Sequence, residues 1–367
     1  MFNLEIPINS MSFGQVGWGV AYELYKRKLD PNIFPIGEVN LAAFKPDASF
    51  QYWLTNCCKK AAKEYKNDSS TVTLWHINGS HKRLTGRNAL WTAYESSKPT
   101  ETELNICRKF DRVFFTSNYA RENFQSAGLQ NADFCPNFFD SVHLQNLNLD
   151  YSEESKPVTF GLVGKMEKRK NTQQILASWA NMFGNKKGYQ LICCVFNPFI
   201  HPDAQIAEIN RIFNGQKPWN IEFLPFTEKN SEFNKILDRI DIDLSGLSGA
   251  EGWGLPCFNG ICLGKVSVVL DAHAHRDYAN DSNCVLVEPS GKIDIYDGMF
   301  FQPGAEFNQG EMFTFSQDEA HNSFKKSLDI LASCSKVTRQ EEGISLQDKF
   351  SVKQTVDKLL EWVDNKS

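Results

Sequence analysis

Glu251 heads the run Glu251-Gly252-Trp253-Gly254-Leu255-Pro256. A strand-like stretch, Asp241-Ile242-Asp243-Leu244-Ser245, precedes it, and an apolar segment from Cys257 to Leu263 follows. One carboxylate therefore stands on a glycine-rich turn between a strand and a helix. An acid in that position can hold ligand hydroxyls, and the helix beside it offers a positive end to negative charge. Upstream, Gly164-Lys165-Met166-Glu167-Lys168-Arg169-Lys170-Asn171 leaves one buried-strand pattern, Val158 to Gly164, and enters a helical one. Cations on such a turn, with the helix N-terminus, can neutralise a polyanionic leaving group while its bond breaks.

The first half carries weaker candidates. Gly14, Gly17 and Gly19 lie between a short strand, Asn3 to Ile8, and a helix-like stretch to Leu29. The run is not G-x-G-x-x-G, so no dinucleotide is inferred from it. His76 ends the strand-like Val72 to Ile77, and Glu95 follows the strand-like Ala89 to Thr92. Each is a candidate proton acceptor, or a structural histidine and a plain surface acid. His81-Lys82-Arg83-Leu84-Thr85-Gly86-Arg87 is a short basic loop, able to greet an anion or simply to be solvated.

These residues need a scaffold, and its class is legible. The 367 residues exceed one ordinary core. Hydrophobic content of 41% and aromatic content of 13% exclude a disordered chain. Helical and strand periods alternate throughout, which predicts α/β architecture. Ser117 is placed to cap a helix over Asn118 to Gln125, and Phe350 to Val363 reads as a terminal amphipathic helix. Residues 141–157 are polar and read as a linker; residues 289–316 read as a long ordered loop near a cleft. Formal net charge is −5, so nothing global announces a nucleic-acid or membrane binder. The ten cysteines include two adjacent pairs and no C-x-x-C, as expected of reduced core thiols in a cytoplasmic protein. No stretch approaches the length of a membrane helix.

The turn at Glu251 resembles the signature of the retaining GT-B glycosyltransferases of the large glycogen-synthase-like family, which reads roughly E-G-(F/W)-G-L-P-x-x-E. The turn at Gly164 resembles that family's G-R-x-x-x-x-K-(G/N). The resemblance is detailed over residues 158–288 and looser over 8–140. It implies two Rossmann-like domains facing across a cleft: residues 1–150 for the acceptor, 151–345 for the nucleotide sugar, and a C-terminal segment, 346–367, packing back on the first domain. It implies sugar transfer from a UDP-, GDP-, ADP- or TDP-sugar with retention of configuration. No cofactor is implied, and no metal, since Asp241-Ile242-Asp243 opens a strand instead of ending one. Lys165 and Lys170 would contact the diphosphate, with Lys for Arg at 165 losing the bidentate fork. Glu251 would hold the donor sugar, with Gly252, Trp253, Gly254 and Leu255 around it. Asn259 stands where the family's second Glu binds the ribose, a departure that loses a charge-assisted contact. Gly17 and Gly19 would reach the donor phosphate, and Phe226 would border the nucleobase. His76 or Glu95 would sit near the reacting centre, and His81, Lys82, Arg83 and Arg87 beside the acceptor. The acceptor is open: a glycan, a lipid-linked sugar or a modified DNA base. A catalytically silent protein that binds sugar nucleotides is the competing reading, and Asn259 is its best argument.

Overall fold

The computed structural model describes residues 2–64, 66–146 and 156–365. Two six-stranded sheets organise the chain, and every strand pair in them is parallel. The first contains β1 (Asn3–Ile6), β2 (Asn32–Pro35), β3 (Ser70–Leu74), β4 (Arg87–Thr92), β5 (Arg112–Phe115) and β6 (Ala132–Phe134), in the order β2-β1-β3-β4-β5-β6. The second contains β7 (Val158–Val163), β8 (Tyr189–Cys194), β9 (Ile221–Phe223), β10 (Ile242–Gly246), β11 (Val266–Leu270) and β12 (Val285–Val287), in the order β12-β11-β10-β7-β8-β9. The α/β, two-sheet class expected from the alternating periods is the one observed. β10 and β11 are buried along their whole length, as strands covered by helices on both faces must be.

Helices α1 (Ser12–Lys26), α2 (Ala48–Glu64), α3 (Glu101–Cys107) and α4 (Asn118–Ser126) accompany the first sheet. Ser117 caps α4, accepting from the Ala120 amide at 3.2 Å. Helices α5 (Thr172–Phe183), α6 (Pro202–Ile212), α7 (Asn230–Asp238), α8 (Leu255–Cys262), α9 (Gln317–Ser333) and α10 (Lys336–Lys349) follow in the second half. The last helix, α11 (Val352–Asp364), places Val356, Leu359, Trp362 and Val363 in one apolar cluster with Leu4, Leu24 and Val72 of the first sheet and α1. The expected division at 150/151, and most of the linker read over 141–157, lie outside the described residues.

Each sheet has one switch point, where the chain stops building on one side and starts on the other. It falls between β1 and β3 in the first sheet and between β7 and β10 in the second. Crevices at the carboxyl ends of strands beside such points are where α/β sheets bind ligands. Here the two sets of carboxyl ends meet. Thr116, after β5, donates to the Gly252 carbonyl, after β10, at 2.7 Å. Asn118 donates its amide and its side chain to Asp277 at 2.8 and 2.7 Å.

Residues 291–314 form a strap over this junction. The antiparallel pair β13 (Gly291–Asp294) and β14 (Glu311–Thr314) anchors it, and the Phe313 amide donates to Gly249 at 2.9 Å. Its loop crosses to the first sheet's side. The Lys98 amide donates to Gln309 at 3.1 Å, Thr100 Oγ1 to Glu306 at 2.5 Å, and the Asn308 amide to the buried Glu103 carboxylate at 2.9 Å.

Candidate active site

The second switch point collects the charges. The turn after β7 runs through Lys165 and Glu167 into a short 3-10 turn, Lys168–Lys170, then Asn171. Asn171 has φ of 53° and begins α5 from the left-handed region, which Gly and Asn tolerate best. Its side chain donates to Leu247 O at 2.9 Å, and the Gly249 and Ala250 amides donate to Arg169 O at 2.8 and 3.2 Å. Those bonds tie the cationic turn to the turn after β10. Gly254, at φ 84°, then caps α8; a Cβ there would stand 2.9 Å from His275 Nε2 and from the Tyr278 hydroxyl.

Glu251 is 5% exposed. Its carboxylate contacts Lys170 Nζ directly and lies 3.5 Å from Arg169 Nη1. Burial alone would lift its pKa, but Lys170 and Arg169 outweigh burial and hold the carboxyl well below the usual range. Arg169, 7% exposed, is the hub. It donates to Ala250 O at 3.0 Å and meets Glu167 at 2.9 Å and Glu95 at 3.1 Å. Burial opposes its charge, yet Glu95, Glu167 and Glu251 together raise its pKa. Lys165 Nζ is 4.0 Å from Glu167 and sits 5.0 Å over the Phe199 ring. Burial pulls the Lys165 pKa down, against Glu167.

Two first-domain groups face this cluster. Glu95 is half-buried; its pKa is raised by burial and by Glu251 and Glu167, against Arg169. His76, exposed, follows β3 at the first sheet's carboxyl edge. The protein crowded around it, with the charges of Lys165 and Arg169, lowers its imidazole to about 4. The structure thus brings together Lys165, Lys170, Glu251, Glu95 and His76.

Other expectations need correction. Gly17 and Gly19 lie inside α1 and not in a loop. A Cβ on Gly17 would come 2.0 Å from the Pro7 carbonyl oxygen, and one on Gly19 2.4 Å from the Phe138 ring. Close packing of α1 requires these glycines, so their expected contact with a donor phosphate is withdrawn. The Trp253 ring is buried among Phe258, Tyr278 and Phe350, at centroid distances of 5.2, 5.1 and 5.2 Å, and serves the core. Arg87 opens β4 and bonds Ser70 Oγ, Val363 O and Asn365 O at 3.0, 3.2 and 2.6 Å; its guanidinium lies 4.1 Å from the Trp362 ring. Arg83 pairs at 2.8 Å with Asp111, the residue before β5. In a parallel sheet the residues that start a strand lie at its amino edge, so both arginines sit at the end remote from the crevice. His81 and Lys82 are exposed in the loop leading there.

The remaining candidates border the second sheet's carboxyl edge. Gly252 approaches the first half closely, where a Cβ would stand 2.7 Å from Ala93 Cβ. Leu255 opens α8, half-buried. Asn259, one turn further on, has a buried Oδ1 with no hydrogen-bond partner among the described residues. Phe226 follows β9, is exposed, and packs 6.0 Å from Phe196.

Arg169, Glu167, His273 and His275 escaped the sequence reading. Arg169 is indistinguishable by type from its neighbours in Lys168-Arg169-Lys170. The histidines had a signal, a His-x-His three residues past the end of β11. His273 (φ 41°) donates from Nε2 to Ser248 O at 2.9 Å, and His275 donates from Nδ1 to Leu270 O at 3.2 Å. Burial holds the His273 imidazole well below its ordinary value and His275 at about 4, the latter partly countered by Glu251.

No protein-family model and no curated protein matches the sequence. Solved structures do match. A glycosyltransferase from Rickettsia africae ESF-5 aligns over 100% of this chain and 99% of its own at 13% identity, with a TM-score of 0.68. Anabaena HepE in complex with UDP and glucose aligns over 99% of both chains at 13% identity and a TM-score of 0.65. WaaG, a glycosyltransferase involved in lipopolysaccharide biosynthesis, aligns over 100% of both at 12% identity and 0.58. The chain has the GT-B fold. TarM also matches, at 12% identity and a TM-score of 0.56, but this chain spans only 58% of its length. Among the described residues of this GT-B chain, no helix is long and apolar enough to cross a membrane.

Proposed function

We propose that this chain is a retaining, metal-independent glycosyltransferase that moves a sugar from a nucleotide diphosphate to an acceptor hydroxyl. The observation that carries the reading is the contact between Lys170 and Glu251, beside Arg169 and Lys165, at the second sheet's switch point. Lys165, Lys170 and the N-terminus of α8 supply positive charge for a departing diphosphate, the stabilisation that metal ions provide elsewhere. Three carboxylates balance the three cations in the free protein, so a diphosphate entering the site competes with Glu251 for Lys170. Glu251, once displaced, is free to accept from sugar hydroxyls. The unpartnered Oδ1 of Asn259 suits a ribose hydroxyl donor. Glu95, a stronger base than an ordinary carboxylate, and His76, neutral at pH 7, are the first-domain groups able to take a proton. In this reading residues 1–150 hold the acceptor and 151–345 the donor, and ten unpaired cysteines suit a reducing, cytoplasmic setting. HepE, solved with UDP-glucose, shares the fold.

The test is a thermal-shift series with UDP-, GDP-, ADP- and TDP-glucose, followed by donor hydrolysis assays. One donor is expected to raise the melting temperature in proportion to occupancy. Slow hydrolysis of that donor, abolished in Glu251→Ala, supports the reading. Tight binding without any turnover supports a silent sugar-nucleotide-binding protein instead, and no shift with any donor removes both.

A further inference from the structure

The second sheet's switch point holds charge; the first sheet's holds rings. Between β1 and β3 stand Phe13, at the start of α1, and Trp75 and His76, directly after β3. Ring centroids are 4.5 Å apart for Phe13 and His76, 5.3 Å for Trp75 and His76, and 5.9 Å for Phe13 and Trp75. Phe13 and Trp75 both meet the His76 ring edge-on, and both are half-buried while His76 is exposed. The 3-10 turn Ile77–Gly79 closes over the indole so tightly that a Cβ on Gly79 would stand 2.3 Å from Trp75 Nε1. Trp75 and His76 follow β3 at the first sheet's carboxyl edge, the edge at which Thr116 bonds Gly252 and Glu95 pairs with Arg169.

Arg83 and Arg87 lie at the remote edge of the sheet, and the first-domain residue whose ion pair with the cluster is seen among the described residues is Glu95. We propose that Phe13, Trp75 and His76 form a stacking subsite for a neutral saccharide acceptor. This proposal rests on the reading of the crevice as a sugar-transfer site. The C–H faces of a sugar ring are apolar and slightly positive, and they suit the negative faces of aromatic rings. The lowered basicity of His76 keeps the third ring uncharged near pH 7. A nucleic acid needs cations along its phosphates, and Arg83 and Arg87 of the basic loop are bonded at the opposite edge of the sheet.

The test uses the 367-residue chain labelled at its indole nitrogens and saturated with UDP. It is titrated separately with methyl β-glucoside, methyl α-mannoside, methyl N-acetyl-β-glucosaminide and a short single-stranded oligodeoxynucleotide. Trp75→Phe identifies the Trp75 indole resonance. At least one glycoside is expected to shift that resonance and to receive saturation transfer from the protein. Phe13→Ala and Trp75→Ala are expected to weaken that glycoside roughly three- to tenfold, with the UDP Kd unchanged within about twofold and Trp75→Phe retaining most of the binding. Thermal melts check that each variant folds; where an alanine variant does not, Phe13→Leu or Trp75→Leu, which removes the ring but keeps apolar bulk, carries the comparison and is expected to weaken the glycoside in the same way. The proposal is overturned if no glycoside moves the Trp75 resonance, or if the oligonucleotide alone does. Failure of UDP to bind is instead a failure of the donor reading. The glycoside titrations are then run without UDP, so the two failures separate.

Discussion

The ammonium of Lys170 and the carboxylate of Glu251, 81 residues apart in the chain, touch in the buried floor of the crevice. Their contact joins the turn after β7 to the turn after β10. Lys170→Ala leaves Glu251 with Arg169 at 3.5 Å as its nearest cation. Breaking a buried pair strands the surviving charge, so a stability loss of roughly 2 kcal/mol is expected by urea unfolding. If the lysine also serves a diphosphate, the UDP Kd rises at least about tenfold by calorimetry. Loss of stability with unchanged UDP affinity would assign Lys170 a purely structural role.

Arg169 meets three carboxylates, and Arg169→Gln leaves them facing one another. The expected cost is about 3–5 kcal/mol at pH 7. The deficit should shrink on acidification to pH 5, because Glu95, whose pKa is already raised, takes up a proton and relieves the repulsion. A cost that does not depend on pH would mean that Arg169 acts through packing alone.

Gly17→Ala tests whether that glycine packs or binds. Its Cβ would collide with the Pro7 carbonyl oxygen, so a loss of roughly 2 kcal/mol or more is expected by thermal unfolding. UDP affinity of the folded fraction should stay unchanged. A selective loss of UDP binding at constant stability would return Gly17 to the donor site.

Asn259→Glu places an acid on the second turn of α8. Charge-assisted hydrogen bonds to ribose hydroxyls are stronger than neutral ones, so UDP should bind roughly three- to tenfold tighter. Calorimetry against UDP and against uracil separates a ribose contact, which uracil cannot report, from a change in the base pocket.

His275 is buried with its pKa lowered to about 4. Unfolding exposes it to an ordinary value near 6.5, so between pH 4 and 6.5 the unfolded state binds more protons. Its contribution to stability is therefore complete above pH 6.5 and is lost as pH falls toward 4. His275→Gln should flatten that acid slope by on the order of 2 kcal/mol between pH 7 and pH 5. Urea melts of both proteins at the two pH values check this; parallel slopes would remove His275 as the cause.

Local chemistry was enough for part of this molecule. The hydrophobic periods of β7, α5 and β10, the Ser117 cap and the apolar face of α11 are each set by neighbours within a few turns, and they announce an α/β chain with a terminal helix. α2 went unread although Phe50, Leu54, Cys57 and Ala61 recur on one helical face, because half of that stripe is the small side chains Cys57 and Ala61. The glycines at 17 and 19 misled because a helix that must press against a carbonyl uses the same residue as a loop that must approach a ligand.

The sequence by itself determined which groups exist and on which kind of turn: a lone acid before α8, cations after β7, aromatics after β3. Only the tertiary structure decided which of them meet. Periodicity reports the face of an element, whereas strand order decides which carboxyl ends lie side by side. Strand order therefore made Arg169 a buried hub, the parallel direction of the strands sent Arg83 and Arg87 to the far edge of their sheet, and the meeting of the two carboxyl edges set the ring wall of Phe13, Trp75 and His76 on the crevice side.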